Sequence, residues 1–134
     1  MAAILIGEQN MTIAEAIDIT DKLTPNAYDE TEKVRWLLTI DQMVYTDLIA
    51  THEGAERFEK PEYAAEDIAT DLLVPEPYAE DIYVNYLQAK IAQQNGEDAK
   101  YNKAVLFYND GYTRFAQAYD AAHRPLPKLT HFRF

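Results

Sequence analysis

Three histidines, 23 carboxylates and ten tyrosines are the side chains here that could move a proton, hold a metal or anchor a partner. Their spacing argues against the first two uses. His52-Glu53 lacks the second histidine one helical turn on that a helical zinc site needs, and His123 and His131 stand at no ligand spacing from it. The chain has no Cys, which removes thiolate sites and disulfides, and no Ser, which removes serine nucleophiles. Its four Gly are scattered, so no glycine-rich phosphate loop exists. Carboxylates on helices read as solvated faces. We therefore expect no catalytic residues, no cofactor, no metal and no enzyme.

The tyrosines ask for another account. A tyrosine offers a large apolar body with a polar tip, and a surplus of them suits surfaces where subunits meet and one end of the ring stays wet. Lining a small core would use them equally well, and the count alone does not separate the two.

The longest element expected to position these groups is a helix from about Asp98 to His123. Tyr101, Val105, Tyr108, Tyr112, Phe115, Tyr119 and Ala122 follow one another at steps of four and three, the repeat of a packed helical seam. Beside that seam Ala104, Gly111 and Ala118 recur every seven residues, a row that lets another backbone come close, within the bundle or between subunits. Such an approach would explain a mid-helix Gly, which costs about 1 kcal/mol against Ala.

Upstream, Thr12-Ile13-Ala14-Glu15 is a capping box that opens a helix ending near Leu23, before Thr24-Pro25-Asn26. Asp29, Glu30 and Glu32 suit the positive end of a second helix, expected to run to about His52. Its apolar residues cover more than half the circumference, so it is central. Asp41 falls on its buried side, where an unpaired carboxylate would cost several kcal/mol, and needs donors such as a tyrosine hydroxyl or helix-start amides. Gly54 suits a left-handed cap. Residues 55–71 read as a loop with one helical turn around Glu62 to Asp67, Leu72-Leu73-Val74 as a short extended piece, and Pro77 as the first residue of a third helix ending at Asn95-Gly96. The third and fourth helices, almost without a linker, should form an antiparallel hairpin. The expected architecture is all-α, a small bundle of about four helices with a long C-terminal hairpin and an extended C-terminal arm. Residues 1–11 read as a flexible leader, 12–125 as the helical domain and 126–134 as a docking arm.

The totals bound the partners. A net charge of −11 argues against a nucleic-acid-binding groove, which needs a basic surface to displace counterions. The apolar run from Met1 to Gly7 is too short for a signal peptide or a membrane span, so a soluble protein made in a cytoplasm, without a membrane partner, is expected. No acid follows Asp120, whereas Arg124, Lys128 and Arg133 do. An arm that is basic and carries Leu126, Leu129, Phe132 and Phe134 is expected to dock rather than to fold alone.

Read in order, Thr12 to Ile17, Pro25-Asn26-x-Tyr28, Arg35-Trp36-Leu37 with Asp41, Thr51-His52-Glu53-Gly54, Leu72 to Tyr78, Lys100-Tyr101-Asn102, and Tyr119 with His123-Arg124-Pro125 resemble the head–tail connector (adaptor) proteins of tailed bacteriophages and prophages of Gram-positive bacteria. The likeness covers roughly Met11 to Pro127. It implies a small all-helical structural protein of the virion neck, made in the host cytoplasm, that forms a homo-oligomeric ring, commonly of twelve. Such a ring sits beneath the portal protein, extends the DNA channel without sequence-specific binding, and offers a platform to the next neck or head-closure protein. In that setting Leu126, Leu129, Phe132, Arg133 and Phe134 would contact the portal or an adjacent subunit. A second reading, from the acidity alone, is a DNA-mimicking inhibitor of a host DNA-binding protein.

Overall fold

The structure is a computed structural model and describes residues 9–127. It is mostly helical. Helix α1 (Ile13–Leu23) starts at a complete capping box: the Glu15 amide donates to the Thr12 hydroxyl at 3.1 Å, and the Thr12 amide donates to the Glu15 carboxylate at 2.9 Å. Two more first-turn amides, Ile13 and Ala14, donate to the loop carbonyls of Thr70 and Ile68. The donors orphaned at this helix start are thus matched by a segment far away in sequence.

That segment leads into a two-stranded antiparallel sheet, β1 (Asn10–Thr12) and β2 (Asp71–Pro75), with Asn10 opposite Pro75 and Thr12 opposite Asp71. Two expectations are corrected here. The fold is not purely α, and the leader does not extend through residue 11, because Met11 is buried in the core and Asn10 donates from its side chain to the Leu72 carbonyl. Local patterning could not announce β1, since a three-residue strand has no periodicity of its own.

Helix α2 (Glu30–Asp47) stops earlier than expected; the chain tightens into a 3₁₀ turn, Ile49–Thr51, that still buries Leu48 and Ile49. The apolar period continues past the break in the hydrogen-bond ladder and hides it. Gly54 takes the left-handed conformation at φ 91° and opens a 3₁₀ turn, Ala55–Arg57, while the turn expected around Glu62 to Asp67 is a single tight one in which the Asp67 amide donates to the Ala64 carbonyl at 3.0 Å. Helical winding after Pro77 begins at Ala79 and continues as a π-helical turn (Glu80–Val84) that passes directly into α3 (Asn85–Asn95). Gly96 closes α3 at φ 70°, and α4 (Asp98–Ala122) turns back along it. The core lies between α1, α2, β2 and the α3–α4 hairpin, with Leu37, Ile40, Leu72, Tyr83, Leu87, Phe115 and Tyr119 enclosed. None of the described helices is long and apolar enough to cross a membrane.

Candidate functional site

Asp41 is a fully buried polar group with three hydrogen-bond donors. From the middle of α2 its carboxylate accepts from the Tyr63 hydroxyl at 2.7 Å, from the Leu73 amide of β2 at 3.0 Å, and from the Tyr83 hydroxyl. Tyr83 in turn accepts from the Val74 amide at 2.8 Å. One carboxylate therefore ties α2 to the strand, to the π-helical turn and to the acidic loop. Complete burial pushes its pKa up to about 6, against the three hydrogen bonds that favour the charged form. Burial, and then the neighbouring Asp41 charge, push Tyr63 and Tyr83 well above the ordinary tyrosine range. The amide partner comes from an extended strand rather than from a helix start.

The row of small residues on α4 divides. A Cβ placed on Gly111 would sit 3.0 Å from the Asp81 Cβ, so this glycine admits the π-helical turn of the same subunit. Ala104 is buried and Ala118 partly so. Phe115 and Tyr119 of the aromatic seam are enclosed; Tyr101, Val105, Tyr108 and Tyr112 are half-buried, and Ala122 is exposed. Tyr86 of α3 packs on Tyr108, which packs on Tyr112, with ring centres 5.6 and 6.0 Å apart. Burial raises the pKa of all three.

The far end of α4 is closed by a clasp that sequence reasoning missed. Leu126 donates to the Thr51 carbonyl and Glu53 to the Arg124 carbonyl, each at 2.8 Å, with His52 paired to Pro125 between them. Behind this pairing the buried His52 places Nε2 2.5 Å from the Asp120 carboxylate and Nδ1 2.7 Å from the Leu48 carbonyl. The Thr51 hydroxyl also stands 3.0 Å from Nδ1. Tyr119 lies with its edge to His52 and stacks with His123 at 4.1 Å. Its own hydroxyl is buried with no partner among the described residues, and burial pushes it up to about 12. The clasp holds the backbone of residues 124–126 against that of residues 51–53. The Leu126 side chain is exposed there, and Leu129, Phe132, Arg133 and Phe134 lie outside the described residues. Nothing in the sequence announces the contact between His52 and Asp120, 68 residues apart, although the last acid of the chain beside its densest aromatic stretch was a place to look.

Among the described residues no three His, Asp or Glu side chains gather as a metal set. No protein-family model matches the chain, and neither the curated proteins nor the solved structures contain a match to it.

Proposed function

We propose that this protein is a structural component of a phage neck, a head–tail connector that forms a ring below the portal, extends the DNA channel and supports head closure and tail attachment. The observation that carries the reading is the ordered series of short motifs between Met11 and Pro127. Two physical features support it. A ring needs unlike, complementary surfaces on each subunit, and α4 carries half-exposed tyrosines on one flank and exposed apolar residues on another. An acidic chain, net charge −11 over its whole length, repels the phosphates of DNA sliding past it rather than holding them. The basic, apolar arm of residues 126–134 leaves from a clasped point and serves as the contact to the portal or a neighbouring subunit.

Native mass spectrometry with and without a portal partner tests the ring, with electron microscopy of any ring found. Deleting residues 126–134 is expected to leave a folded helical monomer that no longer joins portal-containing heads; heads completed normally by the truncated protein would remove the docking role. Absence of a ring, together with competition by duplex DNA for a shared host partner, would favour the DNA-mimic reading instead.

A further inference from the structure

Three groups surround the Asp41 carboxylate, and they decide where a proton can sit on it. Leu73 presents a backbone amide, which only donates, so a proton on Oδ2 cannot point that way. Tyr83 is fully enclosed, and its oxygen already accepts from the Val74 amide. A proton on Oδ1 would turn the Tyr83 hydroxyl hydrogen away from its acceptor and leave it unpaired in the core. Tyr63 is different. It is half-buried and lines a groove of about 250 Å³ with Glu59, Lys60, Glu62 and Thr70. Its hydroxyl can swing its hydrogen to solvent and accept from Oδ2 instead.

The same bond ties down the acidic loop. Among the described residues, segment 59–67 reaches the rest of the domain through two hydrogen bonds: Tyr63 to Asp41 at 2.7 Å, and the Gln42 side-chain amide to the Pro61 carbonyl at 3.4 Å. The second is long, so the first is the stronger tie. A bond to a charged carboxylate is roughly twice as strong as one between neutral groups, so protonation weakens it. The segment carries Glu59, Glu62, Glu66 and Asp67 against Lys60, a block of negative charge.

We propose that Asp41 and Tyr63 form a proton-operated latch on segment 59–67: solvent protonates the carboxylate through the Tyr63 hydroxyl, and the segment loosens while β2 stays in place. In the transfer the Tyr63 oxygen takes a proton from solvent as its own hydrogen passes to Oδ2, so the net change is one proton gained by Asp41. Burial raises that carboxyl's pKa to about 6, which sets the range in which the latch works. Tyr63 and Tyr83, both held well above the ordinary tyrosine range, keep their hydrogens throughout it. The other charged groups on this side are Asp71 at the start of β2 and Glu59, Lys60 and Glu62 around the groove. The latch stands apart from the ring reading and needs no second copy.

Hydrogen exchange of the full-length protein, followed by NMR and divided by the intrinsic rate at each pH, tests it. The Asp67 and Thr70 amides, which bond to the Ala64 and Asp67 carbonyls, report on the loop, and those of Leu73 and Val74 on β2. Protection at Asp67 and Thr70 is expected to fall about fivefold from pH 7 to pH 5, while that of Leu73 and Val74 does not. Tyr63→Phe keeps every carboxylate and should show the low protection at both pH values. A fall of the same size in Tyr63→Phe, no fall in the wild type, or an equal fall at β2 would each overturn the latch. Should Tyr63→Phe not fold, carbon-13 titration of the wild type decides. The Asp41 carboxyl and the Tyr63 ring are then expected to titrate with one midpoint that the loop protection follows, and separate midpoints refute the latch.

Discussion

Two polar clusters hold α2 in place, and they are built to opposite designs. At Asp41 the acceptor is fully enclosed and three donors from three different segments converge on it. At His52 the ring is buried, but its acid, Asp120, keeps 59% of its side chain in solvent. An enclosed carboxylate cannot lose a donor without leaving a charge in a low-dielectric core, so the first cluster is tied to the whole fold. A wet carboxylate is screened and easily replaced by water, so the second sets only local backbone geometry.

The contrast is broken most severely by Asp41→Ala. It leaves the Tyr63 and Tyr83 hydroxyls and the Leu73 amide without their acceptor, and should destabilise the protein by about 3 kcal/mol in denaturant unfolding. A loss under 1 kcal/mol would mean that Asp41 has no special place.

The same carboxyl gives the next largest effect. Its native pKa of about 6 lies above the ordinary 3.8, so the folded protein binds the proton more tightly than the unfolded chain does. The resulting stabilisation is present at low pH, diminishes as pH rises through about 6, and is gone above it. Stability should therefore rise by roughly 1–2 kcal/mol from pH 7 to pH 5. In Asp41→Asn that part of the rise should vanish, while the general relief of acidic repulsion remains in both proteins.

The clasp should yield the smallest global change. Asp120→Asn is expected to cost about 0.5–1 kcal/mol. Its sharper signature is local: the amides of Glu53 and Leu126, which carry the clasp, should exchange with deuterium faster while those of β2 do not. Equal acceleration at both places would erase the distinction between the clusters.

How far the sequence announced this depends on the range of the interaction. The capping box at Thr12, the left-handed Gly54, the end of α3 at Asn95-Gly96 and the start of α4 at Asp98 are set within a few residues, and a local reading finds them. Asp41 was recognisable because a charge on an apolar helix face demands donors, although nothing identified Tyr63, Tyr83 and Leu73 as the segments that deliver them. Strand β1 and the clasp depend on neighbours 60 or more residues away, and composition carries no trace of them. The π-helical turn is explained only after the fact, by the room that Gly111 gives to Asp81.

The small sheet has a consequence for how the chain acquires its structure. Asn10 meets Leu72 across 62 residues, whereas α3 and α4 are joined at Gly96 and need no long closure. Closing a loop of that length costs about 3–4 kcal/mol of chain entropy before any strand contact returns it. The hairpin is therefore expected to form early and the sheet late, with Met11 dropping into a core already assembled from the helices. Pulse-labelled hydrogen exchange during refolding should find the α3 and α4 amides protected first and those of Asn10 to Thr12 last, so the end of what first reads as a flexible leader is what completes the domain.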